Sequence, residues 1–220
     1  MGKRVRTKRI LLVANGEISG ELLGRMVSEV DFVIGVDGGV NSLYRHRMWP
    51  DMIVGDMDSI EEEVLKSCIE EEIPIYRYPS EKDETDLQLA MQEAIKMKPA
   101  EILFVGLFGD RPDHTLANIQ LLQLAVRAGI RVSCHFDSGT LYAISNNLEL
   151  EGARGDIVSL LPLTEKVSGI TLRGFKYALE DGEMVSGVPL GISNELKETR
   201  ASITIKSGIL LVFHLIGGPR

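Results

Sequence analysis

The sequence predicts an α/β fold, in which an N-terminal, mostly parallel sheet flanked by helices is followed by a C-terminal β-sandwich. Over residues 1–137, apolar runs of strand length alternate with segments whose apolar residues recur at helical spacing. This alternation is typical of crossover units that build a parallel sheet. After Asp137, short β-rich runs separated by turn residues replace it. We therefore predict two domains, residues 1–137 and residues 138–220.

The strands predicted for the first domain are continuous apolar runs, as expected for strands buried on both faces. They cover Arg9–Ala14, Phe32–Val36, Met52–Val54, Ile73–Tyr78, Ile102–Leu107 and Arg131–Asp137. Helical spacing of apolar residues predicts helices over Ser19–Glu29, Ile60–Glu72, Thr85–Lys98 and Leu116–Gly129. We expect Gly129 to end the last helix in a left-handed conformation.

The second domain is predicted to contain strands and no helix. The predicted strands are Leu141–Ser145, Leu148–Leu150, Ile157–Leu161, Val167–Leu172, Ala201–Lys206 and Ile209–Leu215. Residues 202–206 alternate between polar and apolar side chains, as a half-buried strand does. Short strands at this spacing indicate a small antiparallel sandwich.

Composition excludes several classes of protein. The formal net charge of −8 argues against a nucleic-acid-binding protein, which needs a basic face. The basic run at residues 3–9 is interpreted as a solvated segment before the first strand. No apolar stretch approaches the roughly 18 residues that cross a membrane, and no secretory signal is recognisable. Cys68 and Cys134 are interpreted as buried, unpaired residues, so we expect a cytoplasmic protein.

Four short acidic clusters lie where predicted strands give way to helices. They are residues 36–39, 55–59, 82–86 and 109–114. Ligands of an open parallel sheet bind beyond the carboxyl ends of its strands, so we expect Asp37, Asp56 and Asp58 to converge there. Mg²⁺ prefers one or two carboxylates together with phosphate oxygens and water. The clusters therefore indicate phosphoryl transfer from a metal-bound nucleotide.

Each cluster also has an interpretation without function. Asp58 or Ser59 would cap the helix predicted at Ile60, Asp83 would cap the helix that follows it, and Asp113 would cap the last helix. Four independent caps at one sheet edge are a less economical explanation than one site. The sequence contains no GxGxxG, no GxxxxGK[ST] and no GxSxG, so neither a P-loop nor a covalent acyl-transfer mechanism is expected.

In their order along the chain, the motifs resemble those of the thiamine pyrophosphokinase family. The resemblance begins with Asp37-Gly38-Gly39 and continues through residues 50–60, residues 82–86 and residues 109–118. It extends into the second domain through residues 174–177 and residues 191–195, and therefore covers nearly the whole chain. Enzymes of this family transfer the pyrophosphoryl group of ATP to the hydroxyl of thiamine and release AMP. The resemblance thus implies a nucleotide- and metal-binding first domain and a thiamine-binding second domain.

Roles at the phosphate site follow from the resemblance, residue by residue. It implies that Asp56, Asp58 and Asp86 hold Mg²⁺ and the triphosphate of ATP. Lys82 and Arg111 would neutralise phosphate charge. This division of labour suits phosphoryl transfer, in which positioning and charge neutralisation do most of the catalysis.

The same resemblance implies roles for further residues and for a partner subunit. Asp37 would contribute to the nucleotide site, and Asp113 would lie close to the substrates. Ser193 and Asn194 would belong to the thiamine-side wall. The family implies a homodimer, with thiamine between the first domain of one subunit and the second domain of the other. Thiamine is cationic, so the acidic site also favours its approach.

Some assignments stay open on the sequence alone. Asp86 or Asp113 would accept the proton of the thiamine hydroxyl. Asp110 occupies a place where the family usually has glycine, which makes the role of Arg111 less secure. Tyr177 is interpreted as a core residue of the sandwich, with stacking on a thiamine ring as the alternative. Two other functions are a pyrophosphokinase acting on a pterin alcohol and a non-catalytic thiamine or nucleotide sensor.

Overall fold

The apolar runs of the first domain form a six-stranded parallel sheet in the computed structural model, which describes residues 8–217. Most of the basic run at residues 3–9 lies outside the described residues. The strands are β1 (Arg9–Val13), β2 (Phe32–Val36), β3 (Met52–Gly55), β4 (Ile75–Arg77), β5 (Glu101–Val105) and β6 (Arg131–Phe136). Their order is β6-β5-β1-β2-β3-β4. The chain therefore reverses its direction of travel beside β1, where an open sheet provides a binding crevice.

Five helices connect these strands. They are α1 (Gly20–Ser28), α2 (Gly39–Arg45), α3 (Glu62–Glu70), α4 (Asp86–Lys96) and α5 (Pro112–Arg127). Helix α2 was not predicted, because Gly, Asn and Ser give its seven-residue sequence a low helix propensity. Helix α5 begins at Pro112 and not at Leu116, since proline suits the first turn of a helix. As expected, Gly129 follows α5 with a φ of +74°.

Hydrophobic contacts on the sheet fix the positions of the helices. In one cluster, Leu22, Leu23 and Met26 of α1 pack with Leu11 and Val13 of β1. Cys68 and Cys134 are fully buried and unpaired, as predicted. Among the described residues, none of the helices combines the length and the apolar character that crossing a membrane requires.

The only tryptophan of the chain, Trp49, lies in this first part of the fold, between α2 and β3. Its ring packs edge-on against Tyr44, with ring centroids 5.5 Å apart. It is 41% exposed, so the indole is partly in water.

Residues after Asp137 form a second compact unit made of antiparallel strands. They are β7 (Gly139–Ile144), β8 (Asn147–Glu151), β9 (Ile157–Pro162), β10 (Lys166–Arg173), β11 (Leu179–Val185), β12 (Gly191–Glu195), β13 (Arg200–Thr204) and β14 (Leu210–Leu215). Strands β12, β9, β14 and β7 pair in that order, and β11, β10, β13 and β8 form the other sheet. Apolar residues of both sheets share one core, so the predicted fold class is confirmed.

Strands β11 and β12 were not predicted. Each lies at the edge of its sheet, and few of its side chains are buried. Strand β11 carries three acidic residues, and β12 contains glycine and asparagine, which are uncommon in strands. Edge strands need little apolar surface, so the hydrophobic pattern does not reveal them.

A buried pair of polar side chains connects β14 to the turn before β9. Nε2 of His214 lies 3.0 Å from Oδ2 of Asp156, and both residues are at most 6% exposed. The same carboxylate accepts hydrogen bonds from the backbone N–H of Ala153 at 2.9 Å and of Gly217 at 3.3 Å. Burial alone would raise the pKa of Asp156, but these hydrogen bonds outweigh burial and lower it. The ionised carboxylate is therefore part of the folded structure.

His135 on β6 gives the first unit an expected dependence on pH. Burial lowers the pKa of His135 from 6.5 to about 4. Between these values the unfolded chain binds a proton that the folded chain excludes, so stability falls as pH falls. We expect the free energy of unfolding to drop by about 3 kcal/mol from pH 6.5 to pH 4 because of this group.

Urea unfolding of wild type and of His135→Asn at several pH values measures this contribution. From pH 6.5 to pH 4, the free energy of unfolding should fall more in wild type than in His135→Asn. His46→Asn, at an exposed histidine, should show the same pH dependence as wild type. Parallel profiles for wild type and His135→Asn would contradict the prediction.

Candidate active site

A cavity of about 550 Å³ opens at the carboxyl ends of the parallel strands in the first unit. The loops after β1, β2, β3, β4 and β5 line it, together with the first turn of α4 and the first two turns of α5. Its charged side chains are Asp37, Asp56, Lys82, Glu84, Asp86, Asp110 and Arg111. It lies beside β1, where the strand order reverses, as expected for an open parallel sheet.

Glycine allows the backbone segments below this cavity to approach one another. A Cβ atom at Gly39 would overlap the carbonyl oxygen of Val13, and one at Gly16 would overlap the carbonyl oxygen of Phe108. Asp37, just before α2, adopts a φ of +43°. The Asp37-Gly38-Gly39 motif therefore has a steric explanation: it turns the chain from β2 into α2 directly above β1.

Asp37 points a carboxylate oxygen into a place without a hydrogen-bond donor. Its Oδ1 is buried and has no partner among the described residues. Burial raises the pKa of Asp37, hydrogen bonds from Gly38 and Ser59 oppose that rise, and the charge of Asp86 adds to it. A buried oxygen without a donor is costly unless a cation or another group satisfies it.

The loop after β3 turns back on itself, which directs Asp56 and Asp58 to the same region. Oδ1 of Asp56 accepts a hydrogen bond from the N–H of Asp58 at 3.1 Å, which lowers the pKa of Asp56. Met57 between them has a φ of +73° and packs its side chain against Val40 and Ile53. The alternative interpretation, in which Asp58 or Ser59 caps α3, is wrong, because the helix begins at Glu62 and Glu61 precedes it.

The side chain of Asn41 on α2 holds this loop by two hydrogen bonds to its backbone. Its Nδ2 donates to the carbonyl oxygen of Ser59 at 2.9 Å, and its Oδ1 accepts from the N–H of Glu61 at 3.0 Å. Asn41 was not predicted as a site residue, because α2 was not predicted. An Asn two residues after a Gly-Gly pair gives no signal of its own.

One oxygen from each of Asp37, Asp56 and Asp58 lies within 4.8 Å of the other two, so this group could hold a metal ion. Carboxylate oxygens are the ligands that Mg²⁺ prefers, and the buried Oδ1 of Asp37 lacks any other partner. The residues present therefore fit a hard divalent cation. Asp86, the remaining residue of the predicted metal set, lines the same cavity but pairs with Lys82.

Lys82 lies between two carboxylates of the cavity. Its Nζ is 2.9 Å from Oδ1 of Asp86 and 3.7 Å from Oδ2 of Asp56. It also donates a hydrogen bond to the carbonyl oxygen of Pro79 at 2.9 Å. Burial would lower the pKa of Lys82, but these carboxylates outweigh burial and raise it, so the ammonium group stays charged. Asp83 does not cap α4: the cap is Thr85, whose side chain accepts from the N–H of Gln88.

At the start of α5, Arg111 and Asp113 bind each other. The guanidinium donates to both carboxylate oxygens of Asp113, at 3.2 Å and 2.5 Å, and both side chains are more than half exposed. The hydrogen bonds from Arg111 lower the pKa of Asp113 to about 2. The expected cap by Asp113 is wrong, because Arg111 precedes the helix and Asp113 lies in its first turn. Asp110 lines the cavity beside Arg111, whereas Asp113 does not.

Ser193 and Asn194 lie on β12 of the second unit. Asn194 is 7% exposed, and its amide bonds the N–H and the carbonyl oxygen of Tyr177, at 3.1 Å and 2.8 Å. Ser193 is exposed, with a φ of +60°. The interpretation of Tyr177 as a core residue is wrong, since its side chain is 62% exposed.

Comparison with known proteins covers both parts of the chain. Residues 23–134 match the family model described as "Thiamin pyrophosphokinase, catalytic domain". Residues 142–210 match "Thiamin pyrophosphokinase, vitamin B1 binding domain". A thiamine pyrophosphokinase of Bacillus subtilis (strain 168) is 34% identical over 209 residues, which are 93% of this chain and 97% of the relative.

Solved structures agree with these sequence matches. The crystal structure of thiamine pyrophosphokinase from Bacillus subtilis superposes with a TM-score of 0.84 at 30% identity, over 96% of this chain and 100% of that one. The structure of thiamin pyrophosphokinase from Geobacillus thermodenitrificans gives a TM-score of 0.82 at 27% identity, over 96% and 98% of the two chains. Similarity thus extends over nearly the full length in sequence and in fold.

Proposed function

The chain belongs to the thiamine pyrophosphokinase family, and on that premise we propose that it transfers the pyrophosphoryl group of ATP to the hydroxyl of thiamine, with Mg²⁺, to give thiamine diphosphate and AMP. The observation that carries this reaction is the group formed by Asp37, Asp56 and Asp58, of which Asp37 and Asp56 line the same cavity as Lys82 and Arg111. Carboxylates for a metal and cations for phosphate are what a pyrophosphoryl transfer requires.

Asp37, Asp56 and Asp58 would hold Mg²⁺, which when bound neutralises charge on the triphosphate oxygens. Asp37 was predicted at the nucleotide site and not among the metal ligands, and its closeness to Asp56 and Asp58 is the reason for including it here. Asp86 stays a proposed ligand, which would bind the metal ion once Lys82 no longer pairs with its carboxylate. Asn41 keeps the Asp56–Ser59 loop in place by its two hydrogen bonds to backbone groups.

In the proposed reaction, the oxygen of the thiamine hydroxyl bonds to the β-phosphorus, the bond from that phosphorus to the bridging oxygen of AMP breaks, and the hydroxyl proton is lost. Asp86 and Asp113 are the two candidates for accepting this proton, and each is paired with a cation, Lys82 and Arg111 respectively. The acceptor would be the carboxylate whose cation has turned to phosphate. Arg111 would exchange Asp113 for phosphate oxygens, a geometry in which its planar guanidinium binds well.

On the second unit, we propose different roles for the two residues that the resemblance assigns to thiamine. The Asn194 amide already bonds the backbone of Tyr177, so Asn194 would shape the wall without being a main ligand contact. Ser193 and the exposed ring of Tyr177 remain accessible for thiamine. The family likeness further supports a homodimer in the cytoplasm with thiamine at the subunit interface, and sedimentation at several concentrations tests the dimer.

Incubation with ATP, Mg²⁺ and thiamine tests the proposal directly. We expect thiamine diphosphate and AMP in equal amounts, and neither product when Mg²⁺ is removed by a chelator. A pterin alcohol offered in place of thiamine serves as the control for the acceptor and should stay unmodified. Formation of ADP instead of AMP, or no product from thiamine, would contradict the proposal.

A further inference from the structure

Lys82 combines burial with an unusual set of partners. Its side chain is only 11% exposed, and that of Asp56 is 10% exposed. Of the two carboxylates near its Nζ, Asp56 lies on the loop after β3 and Asp86 at the first residue of α4. The carbonyl oxygen of Pro79 occupies a third donor position of the ammonium group. One buried cation is thus shared by two carboxylates that are far apart in sequence.

The position of this ammonium group overlaps with the ligands that a metal ion would need. Asp56 belongs to the group of three carboxylates within 4.8 Å of one another, and its Oδ2 faces Lys82. A divalent cation at Asp37, Asp56 and Asp58 would therefore approach a carboxylate that already has a positive partner. Two cations that share a carboxylate in a site with little water repel each other and compete for its charge.

We propose that Lys82 is an internal counter-cation of the metal site, a positioning residue that binds Asp56 and Asp86 before the metal arrives and competes with the metal for them. This inference rests on the proposed function of the carboxylates. It adds that bound phosphates relieve the competition, because they offer the ammonium group new partners. Metal and nucleotide then assist each other's binding through the same lysine, which is the reciprocal coupling that linkage requires.

The proposed competition predicts that loss of the Lys82 charge increases the affinity for metal. A role in phosphate binding alone predicts no such increase. Without nucleotide, Lys82→Met should bind Mn²⁺ about fivefold or more tightly than wild type, because the competing charge is gone. Mn²⁺ is a suitable probe since it takes the same oxygen ligands and can be followed by electron paramagnetic resonance. The metal-free variant should also have a lower Tm, and Mn²⁺ should raise that Tm by more than it raises the Tm of wild type.

Two further variants make this test decisive. Lys82→Gln also removes the charge but keeps an N–H donor for Pro79, so it serves if Lys82→Met does not fold. Lys96→Met changes the net charge by the same amount at the far end of α4, roughly 15 Å along the helix axis, and should bind Mn²⁺ like wild type.

Mn²⁺ binding by the folded Lys82 variants that is undetectable, or no tighter than that of wild type, would overturn the inference. An equal gain in Lys96→Met would overturn it as well, since net charge would then be the cause. Neither thiamine nor nucleotide is present in this measurement. Its outcome is therefore independent of whether the enzyme forms thiamine diphosphate.

Discussion

Asp56→Asn is expected to lower the rate of thiamine diphosphate formation by a factor of about 10²–10³ while leaving the fold intact. The substitution removes the charge from a carboxylate that lies with Asp37 and Asp58 in the proposed metal site. It keeps an Oδ1 acceptor, so the hydrogen bond from the N–H of Asp58 that shapes the loop can persist. Loss of charge without loss of the turn should therefore affect catalysis far more than stability.

Release of AMP under saturating ATP and thiamine measures the rate, and far-ultraviolet circular dichroism with a thermal scan measures the fold. Glu62→Gln is a matched control: it removes one negative charge at an exposed position of α3, a few residues along the chain, and should keep the wild-type rate. An Asp56→Asn variant with wild-type activity would remove Asp56 from the metal site.

Asp156→Ala is expected to destabilise the second unit by about 3 kcal/mol, because it leaves several buried hydrogen-bonding groups without their partner. The substitution leaves the buried Nε2 of His214 without this partner, and the N–H groups of Ala153 and Gly217 lose their acceptor. Cavity formation adds to the loss, because the site is almost inaccessible to water.

Urea unfolding followed by circular dichroism measures this effect. Asp181→Ala, which breaks the exposed ion pair with Lys206, is the control and should cost less than about 1 kcal/mol. The lowered pKa of Asp156 also sets the sign of a pH effect. Its contribution is complete above the unfolded value of about 3.9 and is lost as pH falls through the lower folded value. The gap between wild type and variant should therefore narrow in acid, and a gap that is small at neutral pH would refute the prediction.

Buried central strands could be predicted from the sequence because burial on both faces leaves an uninterrupted apolar run. Phe32–Val36 was predicted with the bounds that the structure has. Elements with little buried surface could not be predicted in this way. Helix α2 begins with Gly39, and edge strands β11 and β12 face water over most of their length. Their existence depends on neighbours that are distant in sequence.

The convergence of the carboxylates was predictable for a topological reason, since parallel strands bring their carboxyl ends to one edge. Side-chain pairing was not. Spacing alone does not show that Arg111 binds Asp113, that Asn194 bonds the backbone of Tyr177, or that Lys82 lies between the loop after β3 and the start of α4. These contacts depend on local backbone angles, which a list of residue types does not specify.

Because Trp49 lies in the first unit, its fluorescence allows unfolding of the two units to be followed separately. Selectively excited tryptophan emission reports on the first unit alone, whereas circular dichroism follows both. Because the indole packs on Tyr44 and is partly exposed, its spectrum should shift when that contact opens. Recording tryptophan fluorescence and circular dichroism during one denaturant titration distinguishes unfolding of the first unit from unfolding of the whole chain without a label. The distance between their midpoints then measures how cooperatively the two halves of the enzyme unfold.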